Sequence, residues 1–392
     1  MAPFATASGL VKRLALQAGF DAAGIAGVRA EDLPELAYFE GWIERGHAGE
    51  MEYLKRRDEQ GRLKRAALDR AAPWAKSVIV CALNYNPPHP YSTDLYDSER
   101  GWISRYAWSA ADYHDSVLAR LRQLESLVAE QCGDEDFRSW CYVDTGPLVE
   151  RVYAKYAGIG WIGRNTCIIH QELGSWLFLG VILTSLSLEP DAPASDRCGT
   201  CTACIEACPT DALIAPYEMD ARRCIAYLTI EKRGAIPEDL REGIGRNIFG
   251  CDICQDVCPW NRKAPVTAAS EFQPRKIAVN NINGESSTPE DFTLCHPPLE
   301  WLLSLSEEEF RAVFRGSPVK RTRWRGLLRN ACVAAGNSHL TPANPSYSRI
   351  MHRLGELARG DDALLAEHAQ WALGKIHANE SISTMVAKDD EI

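Results

Sequence analysis

Hydrophobic and polar positions follow two spacings through the first half of the chain. Apolar residues recur at helical spacing over Tyr113–Gln131 and Pro147–Ala157, as expected of amphipathic helices. Short runs rich in β-branched or aromatic residues, each bounded by turn residues, predict strands at Ser77–Leu83, Trp140–Val143, Thr166–His170 and Ser175–Thr184. The alternation extends from Leu10 to about Leu188 and predicts a layered α/β domain.

The pattern changes after a linker at Glu189–Ala194, which contains two prolines. A cysteine-rich segment follows, and the polar stretch Gln273–Pro289 then predicts a long loop. The chain is helical beyond it, beginning with a capping box formed by Ser306 and Glu309. Three further amphipathic helices are predicted at Arg323–Ala335, Ser346–Ala358 and Asp362–Ile376.

The helical tail contains a weak internal repeat. Ala334–Asn337 resembles Ala372–Lys375 at an offset of 38 residues, which is close to the length of one paired-helix HEAT repeat. A plain helical bundle explains the same pattern almost as well.

Composition indicates a folded, water-soluble chain. Its 392 residues exceed what one hydrophobic core usually holds, and 46% hydrophobic with 24% charged residues is close to the globular average. The net charge of -10 excludes a uniformly basic nucleic-acid coat but leaves room for a local basic patch.

Targeting signals are missing from the sequence. Met1–Phe20 lacks the apolar core and cleavage site of a signal peptide, and the longest apolar run, Trp176–Leu183, is too short to span a bilayer. We therefore predict a cytoplasmic protein with no membrane partner. In that compartment, cysteines serve as metal ligands or core residues more often than they form disulfides, and we interpret the fourteen cysteines accordingly.

A first cysteine run has the spacing of a bacterial ferredoxin, whose fourth cysteine ligates the other of two clusters. It reads Cys198-Gly-Thr-Cys201-Thr-Ala-Cys204-Ile-Glu-Ala-Cys208-Pro209. Soft thiolate ligands suit iron and sulfide. Zinc also uses paired cysteines and is the structural alternative.

A second run, Cys251-Asp-Ile-Cys254-Gln-Asp-Val-Cys258-Pro259, repeats the pattern but has Ile248 where the first cysteine belongs. The crossover pattern assigns cluster one to Cys198, Cys201, Cys204 and Cys258. It leaves cluster two with Cys208, Cys251 and Cys254. We predict Cys224 as the missing ligand, because it is the only cysteine between the runs.

Two motifs are interpreted as ordinary structure. Gly158–Gly163 has the glycine spacing of a dinucleotide fingerprint, but a predicted helix precedes it and a strand follows, the reverse of what that fingerprint needs. Asp112-Tyr113-His114 begins like a corrinoid histidine motif but has Val117 where that motif needs glycine. We predict a helix stop at the first and an N-capped helix with an exposed histidine at the second.

Two further features have open interpretations. Asp144 follows the predicted strand and precedes Pro147, so it fits equally a helix cap or a ligand group at the sheet edge. One basic cluster lies within Ser317–Asn330, has no acidic residue and contains Lys320, Arg321, Arg323, Arg325 and Arg329. A second basic cluster lies at 56–65. Each cluster is either a solvated face or a phosphate-binding surface.

Three separated segments resemble one known family when read in order. They are Val143-Asp-Thr-Gly-Pro-Leu-Val-Glu-Arg151, Gly158-Ile-Gly-Trp-Ile-Gly-Arg-Asn-Thr166, and the cysteine runs with Cys224-Ile-Ala-Tyr-Leu-Thr-Ile-Glu231 between them. The chain resembles the epoxyqueuosine reductases over nearly its whole length. The resemblance implies an oxidoreductase that uses cobalamin and two 4Fe-4S clusters to remove the epoxide oxygen of epoxyqueuosine at the wobble position of tRNA.

The resemblance also implies the architecture. We expect an α/β cobalamin-binding domain over 1–189, similar to corrinoid reductive dehalogenases, and a ferredoxin-like domain with both clusters over 190–262. A linker and a helical, HEAT-like, tRNA-facing domain follow over 263–392. The external electron donor is not defined by the sequence, and we expect a monomer.

Site residues carried over from the family remain implications of the resemblance. Asp144 matches the proton donor, which must be protonated near neutral pH; burial beside the corrin would provide that. The expected cobalamin pocket comprises Arg65, Ser104, Asp144, Asn165, Cys167, His170, Ala226, Cys251 and Asp252. Glu231 lies in a segment that faces tRNA in the family. The basic stretch, rather than the resemblance, adds Lys320, Arg321, Arg323 and Arg325 as expected tRNA-facing residues.

Two positions depart from the family pattern. Ser104 stands where some members have cysteine, and Ala226 stands where serine is common. Two rival functions are also open: a corrinoid reductive dehalogenase, and a ferredoxin-type electron carrier without chemistry of its own. The carrier would leave some 190 residues of the α/β domain without a purpose.

Overall fold

The computed structural model describes residues 7–133, 135–277 and 292–389, and side chains of the last helix up to residue 380. Its α-helices are α1 Ala7–Gln17, α2 Glu35–Glu44, α3 Leu68–Ala71, α4 Tyr113–Cys132, α5 Glu150–Tyr156, α6 Ala203–Glu206, α7 Ile225–Ile230, α8 Glu238–Ile244, α9 Ile253–Asp256, α10 Leu299–Ser304, α11 Glu307–Val313, α12 Arg323–Gly336, α13 Tyr347–Ala358 and α14 Ala363–Asp389. Its strands are β1 Ala22–Ala26, β2 Ser77–Asn84, β3 Trp102–Ile103, β4 Ser139–Tyr142, β5 Trp161–Ile162, β6 Ile168–Ile169, β7 Leu177–Thr184, β8 Asn247–Phe249, β9 Lys276–Ile277 and β10 Phe292–Thr293.

A four-stranded sheet in the order β1-β2-β7-β4 organises the first part of the chain. β2 is buried along its whole length and pairs with β7 from Ser77 opposite Thr184 to Asn84 opposite Leu177. Helices α1 and α4 cover one face through side chains such as Leu14 and Leu121, and α5 covers the other. The result is a three-layer domain.

The predicted layered α/β domain is present, and its sheet is antiparallel. Every neighbouring pair of strands runs in opposite directions, so the sheet lacks the crevice that forms at the carboxyl ends of parallel strands. The predicted strand Thr166–His170 shrinks to β6, which pairs with β5 outside the main sheet. β1 escaped prediction because its sequence, Ala-Ala-Gly-Ile-Ala, contains a single β-branched residue.

The cysteine-rich segment consists of two similar short turns separated by an insertion. Helices α6 and α9 each follow the second cysteine position of a run and pack against each other. The insertion supplies α7, α8 and β8. β8 pairs in parallel with β3, so residues 102–103 join a segment almost 150 positions away in the chain.

The C-terminal helices pack around α12 and α14. The similar pieces noted in the sequence meet there, because a Cβ on Gly336 would lie 2.6 Å from the ring of Trp371 and 3.0 Å from Ala372. The predicted capping box at Ser306 is confirmed. α14 continues to Asp389, beyond the predicted end at Ile376. A paired-helix repeat remains a prediction.

The hydrophobic cores do not follow the predicted domain boundaries. One cluster joins Trp102 and Ile103 of the first region to Ile248 and Phe249 of the insertion and to Leu327 of the helical tail. The three regions therefore share buried surface. Most of the predicted loop Gln273–Pro289 lies outside the described residues. In the part of the chain that is described, no helix has the length and apolar character needed to cross a membrane.

Candidate active site and cysteine centres

The first cysteine centre gathers thiols from both runs. Cys198, Cys201, Cys204 and Cys258 line a partly open cavity, together with Trp260. The indole Nε1 of Trp161 donates to Cys198 Sγ at 3.4 Å. These four cysteines are the set that the crossover pattern assigns to cluster one.

The second centre lies at the start of α7. Cys224 is the N-cap residue of that helix, and burial raises the pKa of its thiol, with Cys208 as a further contributor. Burial likewise raises the pKa of Cys251, to which Cys224 and Cys208 add. Cys254 interacts with Cys251 and Cys224. The four predicted ligands of cluster two are therefore electrostatic neighbours.

The donor set fits multinuclear clusters. Four cysteine thiols around one cavity match the Cys₄ ligation of a 4Fe-4S cube.

A buried aspartate connects the second centre to strand β3. Asp252 is 1% exposed and accepts hydrogen bonds from Ser104 Oγ at 2.5 Å, Trp102 Nε1 at 3.0 Å and the backbone N–H of Arg105 at 2.8 Å. Burial raises the pKa of Asp252 and outweighs these hydrogen bonds, which lower it. We name Trp102, Ser104, Arg105 and Asp252 the Asp252 group.

The Asp252 group exists because of the β3–β8 pairing. Gly250, which follows β8, has φ +73° and would place a Cβ 2.5 Å from Ser104 Cβ, so the contact requires glycine. The hydroxyl of Ser104 is buried and donates its hydrogen bond to Asp252. Serine at this position therefore supports the carboxylate.

The remaining predicted pocket residues lie near the cysteine centres. Asn165 Nδ2 donates to the carbonyl of Cys254 at 3.2 Å, and its Oδ1 accepts from Cys167 N at 3.2 Å. A hydrogen bond with Cys254 lowers the pKa of Cys167. His170 Nδ1 accepts from two backbone N–H groups of the following turn. Ala226 is half-buried in α7.

Asp144 lies apart from this buried set, on an exposed turn after β4. Its backbone has φ +60°, a left-handed conformation unusual for a side chain other than glycine. The side chain is 67% exposed, and Oδ2 accepts from Tyr113 OH at 3.4 Å. Arg65 Nη2 holds the backbone carbonyl at 3.1 Å. The predicted burial of this carboxyl is therefore not supplied by the chain's own atoms.

Residues distant in sequence surround Asp144. The guanidinium groups of Arg65 and Arg321 lie 5.6 and 5.2 Å from the ring centre of Tyr53, and Arg321 forms an ion pair with Glu231 at 2.5 Å. Burial, with Glu231 as the next cause, raises the pKa of Tyr53 to about 12. We name the Asp144 group Tyr53, Arg65, Tyr113, Asp144, Glu231 and Arg321.

A second buried carboxylate lies behind Arg65. Glu150 Oε2 is 3.8 Å from Arg65 Nη1, while its Oε1 is buried without a hydrogen-bond partner. Burial, reinforced by the charge of Asp144, raises the pKa of Glu150 to about 7. Tyr53, Tyr113 and Glu150 were not predicted as site residues. For Tyr113, the Tyr-His pair beside Asp112 was the available signal.

The basic stretch 317–330 divides into surface and core. Lys320 contacts Asp112 at 3.3 Å, Arg321 contacts Glu231, and Arg325 binds Asp362 through two nitrogens. Arg323 is exposed at the start of α12. The inclusion of Arg329 in a basic face is wrong: its side chain is 0% exposed and donates to the carbonyls of Leu228, Lys232 and Gly234.

Three residues of the second basic cluster lie beside acidic side chains. Arg57 pairs with Glu40 at 3.1 Å, and Arg62 lies 3.5 Å from Asp58. Arg65 faces Asp144 and Glu150 as described above. Of this cluster, Arg65 is the residue that the fold brings to the Asp144 group.

Comparison with known proteins places this arrangement in a family. A model described as 4Fe-4S double cluster binding domain matches residues 197–261, and one described as epoxyqueuosine reductase QueG, DUF1730 matches residues 65–145. The epoxyqueuosine reductase of Xanthomonas campestris pv. campestris is 37% identical over 94% of this chain and 96% of that protein. The chain belongs to the epoxyqueuosine reductase family. It is an oxidoreductase with a 4Fe-4S double cluster domain.

Further relatives agree. The epoxyqueuosine reductase of Shewanella oneidensis is 39% identical over 95% of this chain and 90% of its own length. A Bacillus subtilis epoxyqueuosine reductase, solved with its catalytic aspartate loop swung out of the active site, superposes with TM-score 0.76 at 30% identity, covering 94% of this chain and 89% of that one.

A related crystal structure contains nucleic acid. It is an epoxyqueuosine reductase with an epoxyqueuosine-modified tRNA-Tyr stem loop, matched with TM-score 0.75 at 29% identity over 94% of this chain and 89% of that one. A catabolic reductive dehalogenase reaches only TM-score 0.41 at 17% identity. The predicted architectural relation to dehalogenases therefore remains a prediction.

Proposed function

We propose that this protein reduces epoxyqueuosine to queuosine at the wobble position of tRNA, with Asp144 as the proton donor. The observation that carries the proposal is the gathering of Arg65, Tyr113, Glu231 and Arg321 around the exposed carboxylate of Asp144. These residues come from all three predicted regions. Family membership supplies the reaction class.

The reaction needs an acid at the oxygen. Conversion of an epoxide to an alkene and water consumes two electrons and two protons. Negative charge grows on the oxygen as its bond to carbon breaks, and a carboxylic acid within reach can neutralise it. Asp144 is exposed and held through its backbone by Arg65, so its side chain is available to a substrate. The swung-out aspartate loop of the Bacillus subtilis relative supports this assignment.

Electrons would pass through two 4Fe-4S clusters, one held by Cys198, Cys201, Cys204 and Cys258, the other by Cys208, Cys224, Cys251 and Cys254. Cobalamin, when bound, supplies a cobalt centre that is reducing enough to open the epoxide. Six of its nine expected pocket residues keep accessible surface, which fits contact with a ligand; they are Arg65, Asp144, Cys167, His170, Ala226 and Cys251. Ser104, Asn165 and Asp252 are buried and would support the pocket from behind.

tRNA would approach over the Asp144 group. The related complex with a modified tRNA stem loop supports RNA as the substrate. Glu231 lies at this surface with Arg321, and the exposed Lys320, Arg323 and Arg325 extend it along the 3-10 turn and α12. Cationic side chains in this position can contact backbone phosphates.

The direct test is anaerobic turnover of tRNA that carries epoxyqueuosine, with product nucleosides analysed by mass spectrometry. We expect queuosine from the wild type and a loss of at least about 10²-fold in kcat for Asp144→Asn, the lower end of what general acid catalysis contributes. Asp239→Asn, an exposed aspartate on α8, is the matched control. Turnover of halogenated phenols in place of the tRNA, or no turnover of either, would overturn the proposal.

A further inference from the structure

His114 is a titratable residue beside Asp144 that the proposed chemistry has not used. It is the second residue of α4, and its imidazole lies between two aspartates. Nδ1 is 2.6 Å from Asp112 Oδ1, and Nε2 is 4.0 Å from Asp144 Oδ2. The ring stacks on Tyr113 at 4.1 Å, and its side chain is 34% exposed. It therefore contacts both the Asp144 group and solvent.

Asp112 sets the orientation of this ring. Its side chain is 7% exposed, also accepts from the backbone N–H of His114 at 3.2 Å, and receives Lys320 Nζ at 3.3 Å. Burial acts to raise the pKa of Asp112, but the hydrogen bonds from His114 and Lys320 outweigh it and hold the pKa below its usual value. An ionised Asp112 accepts a proton-bearing Nδ1 and leaves Nε2 directed at Asp144.

A helix cap alone does not account for this geometry. The predicted capping contact needs only the Asp112 carboxylate and the backbone N–H of residue 114, which any side chain would provide. The imidazole adds a second, 2.6 Å contact to the same oxygen and bridges towards a carboxylate on a different element. An oriented histidine between a buried aspartate and a reacting group is the arrangement used for proton transfer.

We propose that His114 reloads Asp144 with protons. The inference rests on the proposed function, in which Asp144 gives a proton to the oxygen leaving the substrate. In the relay, the Nε2–H bond of the imidazolium breaks and an O–H bond forms at Asp144 Oδ2. The imidazole then regains a proton from solvent through its exposed edge. No electrons move in the relay, and both protons of the product water can pass along it.

Two features make such a relay useful here. Each turnover consumes two protons and one carboxyl carries at most one, so the exposed Asp144 needs a proton source beside it. Histidine is the side chain suited to carry protons between pH 5 and 8. The 4.0 Å separation is closed by rotation of the exposed Asp144 side chain or by one water, as often occurs when a site fills.

Because His114 acts through Asp144, it is a positioning residue, and its test needs more than a rate. We expect His114→Ala to lower kcat about 10²-fold with KM for tRNA unchanged. Added imidazole restores much of the rate in this variant, since it can occupy the space of the missing ring. His114→Gln fills that space without carrying a proton, so it is slow and not rescued.

Further variants separate this inference from the proposed function. Asp112→Asn keeps a helix cap but removes the charge that orients the ring, and we expect a smaller fall in kcat. Asp144→Asn is slow and indifferent to imidazole. His352→Ala, an exposed histidine on α13, is the control and keeps wild-type rates. Full activity of His114→Gln would overturn the relay while leaving Asp144 in place; full activity of Asp144→Asn would overturn the proposed donor itself.

Discussion

The two aspartates of the proposed site differ in almost every physical property. Asp252 is 1% exposed and accepts three hydrogen bonds within the Asp252 group. The Asp144 side chain is 67% exposed, has a left-handed backbone, and depends on Arg65 to hold its carbonyl. The first carboxylate is fixed by burial, whereas the second is held at its backbone and keeps an exposed side chain.

This difference separates a supporting role from a chemical one. A buried, saturated carboxylate has no capacity left for a substrate, but it fixes β3 against β8 and thereby positions the cysteine loop. A left-handed residue other than glycine stores roughly 1–3 kcal/mol of strain and persists only where its surroundings hold it. Asp144 occupies such a position, and Arg65 holds its carbonyl.

The largest expected effect lies on the buried side of the comparison. Cys224→Ala should remove one cluster while the other remains, because the four thiols around the first cavity do not include Cys224. We expect the iron content to fall to about half and turnover to disappear. Iron analysis and paramagnetic resonance on anaerobically purified protein measure this.

The matched control is Cys332→Ala, a fully buried cysteine of α12 away from both centres. It should keep both clusters. Two intact clusters in Cys224→Ala, or zinc in place of iron in the wild type, would remove the assignment of Cys224 and the electron route that depends on it.

Asp252→Ala should have the next largest effect, and it directly tests the supporting role of Asp252. The change leaves Trp102 Nε1, Ser104 Oγ and Arg105 N without their acceptor. Each buried donor left unsatisfied costs about 1–3 kcal/mol, so the apparent free energy of unfolding should fall by at least about 3 kcal/mol. Urea denaturation followed by fluorescence measures it.

Asp252→Asn sharpens the same test. It keeps an acceptor oxygen and should lose much less stability than Asp252→Ala. Equal stability of the alanine variant and the wild type would show that Asp252 does not fix β3 against β8.

Glu150→Gln probes the carboxylate behind Arg65. The pKa of Glu150 is raised from 4.5 to about 7. Between these two pH values the folded chain keeps a proton on Glu150 that the unfolded chain has released. The free energy of unfolding of the wild type therefore falls as pH rises from 4.5 to about 7. The variant lacks this decrease and gains up to about 3 kcal/mol relative to wild type at about pH 8.

Urea denaturation at about pH 5 and about pH 8, on either side of the window in which the carboxyl titrates, measures this gain. Glu308→Gln, an exposed glutamate in the first turn of α11, is the control and should show no comparable gain. A Glu150→Gln variant whose stability relative to wild type is the same at both pH values would contradict the raised pKa of the buried Glu150 carboxyl.

Local spacing explains which parts of the site were predictable. The cysteines follow from contiguous motifs, and Cys224 follows by elimination; the helices α4, α12 and α13 follow from periodicity. The hydrogen bond between Ser104 and Asp252 was not predictable, since it depends on a parallel pairing between β3 and β8 that no local pattern encodes.

Electrostatic surroundings were the least predictable feature. Arg321 and Arg329 look alike in the sequence, but the first lies at the surface and the second is 0% exposed. Likewise, no local pattern shows that Arg65 and Arg321 both lie against the ring of Tyr53. Charge counts along a chain do not show which charges the fold neutralises.

The smallest expected effect distinguishes two arginines on the exposed side. Arg321 lies in the Asp144 group, whereas Arg325 is held by Asp362 through two nitrogens. Arg321→Glu should weaken tRNA binding several-fold and flatten its dependence on log salt by about 0.7–0.9 for each phosphate that is no longer neutralised. Arg325→Glu, the matched control, should change both less, because Arg325 lies on α12 outside the Asp144 group. Filter binding over a salt series measures both quantities. Equal effects of the two variants would mean that tRNA covers α12 as far as Arg325, and indifference of both would move the RNA surface away from Asp144.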